Sequence, residues 1–258
     1  MKVLAIDWSG RDKRAAEHIW LAVVDAGRLV ELENGRDRGE VVDEVVARAG
    51  RGEDIVVGLD FAFSFPRWYC QERGWGSGRD VWTAIRDQGE SLLASCEPPF
   101  WGRTGTTAQT QGPALRATDT GGAKSVFQIG GAGAVGTGSI RGMPHLLRLS
   151  DAGFAVWPFD PPRLPAIVEI YPRLLTGKVD KGRNRTRRAY LDQHFADQDP
   201  VLRERAAGSE DAFDAAVSAL VMGAHLTGTA DLPTIAPDDP RNIEGAIWSP
   251  TMKKPEAP

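Results

Sequence analysis

The sequence predicts an α/β fold in which a mixed sheet is flanked by helices. Three observations carry that prediction. Three short apolar runs rich in β-branched residues open the chain, and a helix-period segment and a fourth apolar run follow them. The first and fourth runs both end in an aspartate, Asp7 and Asp60. The segment most favourable to helix lies late, at 210–226.

Each element has a local reason. Residues 2–7 (KVLAID), 18–24 (HIWLAVV) and 28–33 (RLVELE) have the length and branching of strands, and Asp25-Ala26-Gly27 supplies a tight turn between the last two. Residues 39–50 place Val41, Val42, Val45, Val46 and Ala49 at helical spacing, with Gly50 as a stop. Residues 54–60 (DIVVGLD) return to strand. Short connections make the first three strands antiparallel neighbours, and the crossover through a helix makes the fourth parallel to the first. Asp7 and Asp60 then share the carboxyl edge of parallel strands, where open α/β sheets bind ligands. Residues 61–140 read as a long insertion rich in aromatics and glycine, within a single domain of residues 1–258. Eight glycines between Gly121 and Gly142 read as loop. Helices are expected at 78–96, 143–151 and 184–195, and strands at 153–158 and 166–171. Ser209 is the expected N-cap of the late helix, with Glu210 and Asp211 at the positive end of its dipole.

Composition narrows the class. No apolar run approaches a membrane span, and MKVLAIDWSG is too short and too polar for a signal peptide. Cys70 and Cys96 have no CxxC or Cys/His spacing, which argues against a disulfide framework or structural zinc. A cytoplasmic protein without a membrane partner is expected. The formal charge of −4 argues against bulk coating of nucleic acid. That charge is uneven: residues 101–150 and 173–188 together sum to +10, leaving −14 for the rest.

Four acids form the candidate centre. Asp7 and Asp60 end strands, and Asp211 and Asp214 are three apart on one helix face. Carboxylates packed together repel one another unless a cation neutralises them. Hard oxygen donors select Mg²⁺ or Mn²⁺. Two such ions about 3.5–4 Å apart activate water and stabilise the leaving oxygen of a phosphodiester. Taken singly, each aspartate also reads as a turn former or helix cap.

The unit carrying Asp7 in IDWSG and Asp60 in GLDFAFSFP resembles the ribonuclease-H-like fold, which implies a five-stranded mixed sheet. EDAFDAAVSAL resembles the metal-binding helix of RuvC-type Holliday-junction resolvases. With VEIYP (168–172) and IEGAIWSP (243–250), these motifs give the whole chain a resemblance to the domain-of-unknown-function 429 family of ribonuclease-H-like nucleases. The resemblance implies a metal-dependent nuclease with a two-metal site at Asp7, Asp60, Asp211 and Asp214. The resolvases carry Glu where this chain has the shorter Asp60. Glu169, in VEIYP, reads as a fifth metal or supporting ligand, or as a structural acid pairing Arg173 or a helix terminus. Glu244 reads as structural, in a segment that closes the fold.

Lys124, Arg141, Arg173, Arg183, Arg185, Arg187 and Arg188 are the candidate nucleic-acid contacts, since basic side chains on flexible segments suit phosphate binding. A solvated helix face and an ordinary loop explain the same residues. Trp8, Phe61, Phe63, Trp68, Tyr69 and Trp75 suit base stacking or core packing. His18, His145, His194 and His225 have no ligand spacing and read as packing or surface residues. Two other classes stay open: an actin-like ATP-dependent phosphotransferase or ATPase, whose phosphate loop IDWSG resembles, and a non-catalytic binding protein that retains the fold. The Ala-rich helices also permit a homodimer.

Overall fold

β1 (Lys2–Asp7) pairs antiparallel with β2 (Trp20–Asp25), which pairs antiparallel with β3 (Arg28–Asn34). α1 (Arg38–Gly50) crosses over to β4 (Ile55–Leu59), which runs parallel to β1 in the register Ile6 to Leu59. This start of the chain is the order expected from the sequence. α1 opens on a capping box: the Asp37 side chain accepts from Glu40 N at 2.9 Å, and Glu40 Oε2 accepts from Asp37 N at 2.8 Å.

This computed structural model describes residues 1–252; residues 253–258 of the expected 1–258 unit lie outside the described residues. Beyond β4 come α2 (Arg67–Glu72), α3 (Gly78–Ser95), α4 (Gly136–Asp151), β5 (Ala155–Val156) and β6 (Ala166–Glu169). α5 (Pro172–Thr176), α6 (Asn184–His194), α7 (Pro200–Gly208), α8 (Glu210–His225) and α9 (Arg241–Glu244) follow. The strand order is β3-β2-β1-β4-β6-β5. The sheet has six strands, one for each of the six runs read as strands, where the ribonuclease-H-like resemblance implied five. The run at 153–158 contributes only β5, a two-residue pairing closed by Ala155 N to Pro165 O and Trp157 N to Ile167 O, each 2.9 Å. No helix of the described residues is long and apolar enough to cross a membrane.

Strand alternation divides the core in two. Leu4, Ile6, Val57 and Leu59 pack with α1, α3, α4 and the aromatic residues Phe63 and Phe65. Val3, Ala5, Val56 and Val168 pack on the other face with α6, α7 and α8. α8 lies close to the sheet because β4 carries Gly58, where a Cβ would sit 2.6 Å from Met222 Sδ. Ser209 caps α8 as expected, accepting from Ala212 N at 3.0 Å.

Within residues 61–140, α3 is the helix expected at 78–96, and α2 adds one that was not expected. Phe63, Phe65, Tyr69, Trp82 and Phe127 are buried in the main core, so the insertion is packed into the fold. α4 starts at Gly136, well before the expected residue 143. The glycines that lower helix propensity are needed for packing: at Gly142 a Cβ would sit 2.7 Å from the Phe61 ring. Tertiary contact overrides the local preference.

The loop after β1 meets the start of α4 backbone to backbone. A Cβ at Gly10 would lie 2.5 Å from Gly138 N and 2.8 Å from Thr137 C, with no flexible side chain to give way. Gly10→Ala is therefore expected to cost about 1–3 kcal/mol by overpacking. Urea unfolding checks this, and an unchanged midpoint would show that the two backbones do not pack this closely.

Candidate active site

The carboxyl edge of the sheet brings the four aspartates together. Asp7 ends β1, and Asp60 follows β4 with its N–H donating to Ile6 O at 3.2 Å. By alternation both follow the residues that face α8: Val3 and Ala5 before Asp7, Val56 and Gly58 before Asp60. Asp211 and Asp214 come from the first turns of α8. All four are half-buried. Burial, then repulsion from Asp60, Asp214 and Asp211, holds the Asp7 carboxyl well above the usual carboxylate range, against the pull of Lys181. Burial and the charge of Asp214 push Asp60 up to about 8. Burial pushes Asp214 up to about 6, although Lys181 pulls it down.

Two cationic or protonatable side chains complete the cluster, and the sequence singled out neither as part of it. Lys181 Nζ donates to Asp214 Oδ2 at 2.5 Å. His18 Nδ1 lies 3.0 Å from Asp211 Oδ2. His18, read as a packing or surface residue, is part-exposed and also a direct partner of a candidate ligand. The contact spans 193 positions, so no local spacing signals it.

Glu169 is not placed as a metal ligand. It pairs in register with Leu59, and although it lines the same cavity as Asp60 and its charge helps raise that carboxyl, its own oxygens are taken by protein donors. Arg116 grips both carboxylate oxygens, Nη1 donating to Oε2 at 2.8 Å and Nη2 to Oε1. Phe63 N also donates to Oε2, at 3.0 Å. The structural partner is thus Arg116, not Arg173. Asp119 completes the cluster by accepting from Arg116 Nη2 at 2.7 Å. Burial opposes the charge on Arg116, and Glu169 and Asp119 more than restore it, so its pKa rises. Glu244 is structural as expected, its Oε1 accepting from Arg67 N at 2.7 Å.

The donor chemistry suits a hard divalent cation. Asp7 and Asp60 receive no hydrogen bond at their carboxylates among the described residues, and Asp214 Oδ1 is buried without a partner. Mutually repelling carboxylates, with one oxygen buried and unsatisfied at Asp214, call for a cation. The side chains have not converged on one: among the described residues no three acid, His or Cys groups stand in a metal-holding arrangement. Lys181 and His18 take the outer oxygens of Asp214 and Asp211 instead.

The basic residues divide. Arg187 is 5% exposed and donates to Ala207 O, Lys181 O and Gly208 O, so it ties α6 to α7 in place of the expected phosphate contact. Arg141 is likewise engaged, with Glu90 Oε1 at 2.7 Å and Gly10 O at 2.7 Å. Arg173 donates to Val179 O, while Arg183 and Arg188 form surface ion pairs with Asp180 and Glu204. Such exposed pairs are weak and open readily. Arg185 and Lys124 are exposed and have no side-chain partner among the described residues. Of the aromatics, Trp8, Phe61, Phe63 and Tyr69 are buried core residues, and Trp68 and Trp75 pack against them.

The raised carboxyls make stability depend on pH. In the unfolded chain these groups titrate near 3.8, but folded Asp60 titrates near 8 and Asp214 near 6. Between those limits the folded state binds more protons than the unfolded chain, so stability falls as pH rises. Urea midpoints in EDTA are expected to drop between pH 5 and about pH 8, and Asp60→Asn to flatten that drop. Equal slopes in both proteins would sink the assignment.

The fold and site thus define an α/β protein with half-buried, repelling carboxylates at the carboxyl edge of its sheet. No family model, curated protein or solved structure compared with the chain matches it.

Proposed function

We propose that the chain is a metal-dependent phosphodiesterase acting on nucleic acid, with a ribonuclease-H-like core. The observation that carries this reading is the meeting of Asp7, Asp60, Asp211 and Asp214 from three separate elements, each of Asp7, Asp60 and Asp214 held above its ordinary pKa. Three antiparallel strands followed by a parallel fourth, across a helix, support the core assignment. The motifs around these residues support membership of the domain-of-unknown-function 429 family.

Asp7, Asp60, Asp211 and Asp214 would hold Mg²⁺ or Mn²⁺, which when bound polarises the phosphodiester and lowers the pKa of water. In the hydrolysis, the oxygen of water bonds to phosphorus, the P–O bond to the leaving nucleoside breaks, and a proton from water ends on the leaving oxygen. Asp214 Oδ1 is buried without a protein partner, an oxygen that a bound cation would satisfy. Lys181 Nζ sits at the same cluster, able to donate to a phosphoryl oxygen once freed from Asp214. The test is a calorimetric titration with Mn²⁺ alongside cleavage of mixed single- and double-stranded DNA and RNA. Binding with Mn²⁺-dependent cleavage supports the reading. Absence of metal binding overturns it.

A further inference from the structure

Beside Asp60, on the insertion side of the sheet edge, lies a cavity of about 520 Å³. That is within the range of about 300–1,000 Å³ typical of small-molecule sites. Trp8, Phe61, Ile129 and Ile247 give its lining an apolar part, and the half-buried Tyr171 also lines it.

The charged part of the lining is mixed: Asp119 and Glu169 are taken up by Arg116, Asp60 belongs to the carboxylate centre, and Arg11 and Lys124 are cations without a side-chain partner among the described residues. Lys124 lines the cavity, is exposed, and has no ion pair or hydrogen bond among the described residues. Its stem runs along the glycine loop, with Cε 3.5 Å from where a Cβ of Gly133 would stand. No side chain caps α4, and Thr137 and Gly138 of its first turn line the same space. Trp8 is 8% exposed, and its Nε1 is buried with no partner. Its Cδ1, the neighbouring ring atom, lies 3.9 Å from the Cβ position of Gly138, at the start of α4.

A free ammonium and a helix start without a side-chain cap line one cavity, and the Trp8 of the same lining carries an orphan indole N–H; Gly136 N is met by Gln128 O, and an anion supplies an acceptor for the rest. The apolar part of the lining adds a demand for a flat, weakly polar body. Asp60 in the same lining sets the occupant next to the carboxylate centre. A nucleotide unit meets all three conditions, and the volume admits one such unit rather than stacked base pairs. We propose that this cavity binds the terminal nucleotide of a single-stranded nucleic acid, so that cleavage proceeds from an end. The placement beside the scissile phosphate rests on the phosphodiesterase reading; the binding itself does not.

The test therefore begins without metal. In EDTA, tryptophan fluorescence and calorimetry measure binding of a nucleoside 5′-monophosphate, inorganic phosphate and a linear single-stranded oligonucleotide. The mononucleotide is expected to bind more tightly than phosphate, to be displaced by the linear oligonucleotide, and to lose about ten-fold in affinity in Lys124→Ala. Asp7→Asn is expected to keep this binding. With Mn²⁺ added, linear strands are expected to be shortened and circular ones left intact. Equal affinity for phosphate and mononucleotide, no effect of Lys124→Ala, or mononucleotide binding that the oligonucleotide does not displace would overturn the proposal; the last assigns the cavity to free nucleotides. Circles cut as fast as linear strands would overturn the terminal pocket and leave the phosphodiesterase reading standing. Lys124-dependent, displaceable binding without cleavage of any substrate would support the pocket and overturn the phosphodiesterase.

Discussion

Arg116→Met is expected to cost about 3–5 kcal/mol of folding stability, the largest effect of any single substitution considered. The side chains of Arg116, Asp119 and Glu169 are only 2%, 4% and 2% exposed. Removing the guanidinium leaves two carboxylates buried without their cation. It also removes the donor that reaches Glu244 O at 3.0 Å and so frees the closing segment. That segment matters to the sheet, because Trp248 N donates to Glu169 O at 2.7 Å. Adding Glu169→Gln to Arg116→Met is expected to recover part of the loss. Gln removes one unpaired charge and keeps an oxygen for Phe63 N. Urea unfolding of both single variants and the double variant closes the cycle. A loss below about 1 kcal/mol for Arg116→Met would mean that the cluster is solvated and of surface type.

Asp7→Asn is expected to do the opposite to stability while removing activity. The Asp7 carboxyl lies where burial and three other aspartates oppose its charge. It accepts no hydrogen bond among the described residues, so the amide loses no partner. Relief of repulsion is expected to raise the stability of the metal-free protein by about 0.5–2 kcal/mol. Loss of a ligand is expected to lower Mn²⁺-dependent cleavage by more than about 100-fold, since even supporting residues around metal ligands cost about 10–100-fold. The two readouts separate a functional acid from a structural one. A structural aspartate would lose stability on substitution, and retained cleavage would remove Asp7 from the chemistry.

Lys181 links the two measurements. Its ammonium already neutralises Asp214, so the metal-free cluster carries an internal cation. The Asp7 substitution and the pH profile both report on how far that single lysine offsets four acids.

Much of this protein is determined by its sequence alone, because the controlling interactions are short in range. β-Branched runs, the turn at Asp25-Ala26-Gly27 and the Ser209 cap act within a few residues. They suffice to place β1 to β4, α1 and α8, and with them Asp7, Asp60, Asp211 and Asp214. Only the tertiary structure decided the rest. Lys181 meets Asp214 across 33 positions, Arg116 meets Glu169 across 53, and His18 meets Asp211 across 193. No periodicity encodes such partners. The partner of Glu169 depends on the fold bringing Arg116 to its register position beside Leu59. The glycines between residues 121 and 142 look like loop by propensity, yet part of that run is helix and part lines a cavity. Packing against Phe61 and Gly10 outweighs the intrinsic cost of glycine in a helix, and that balance exists only once the chain has folded.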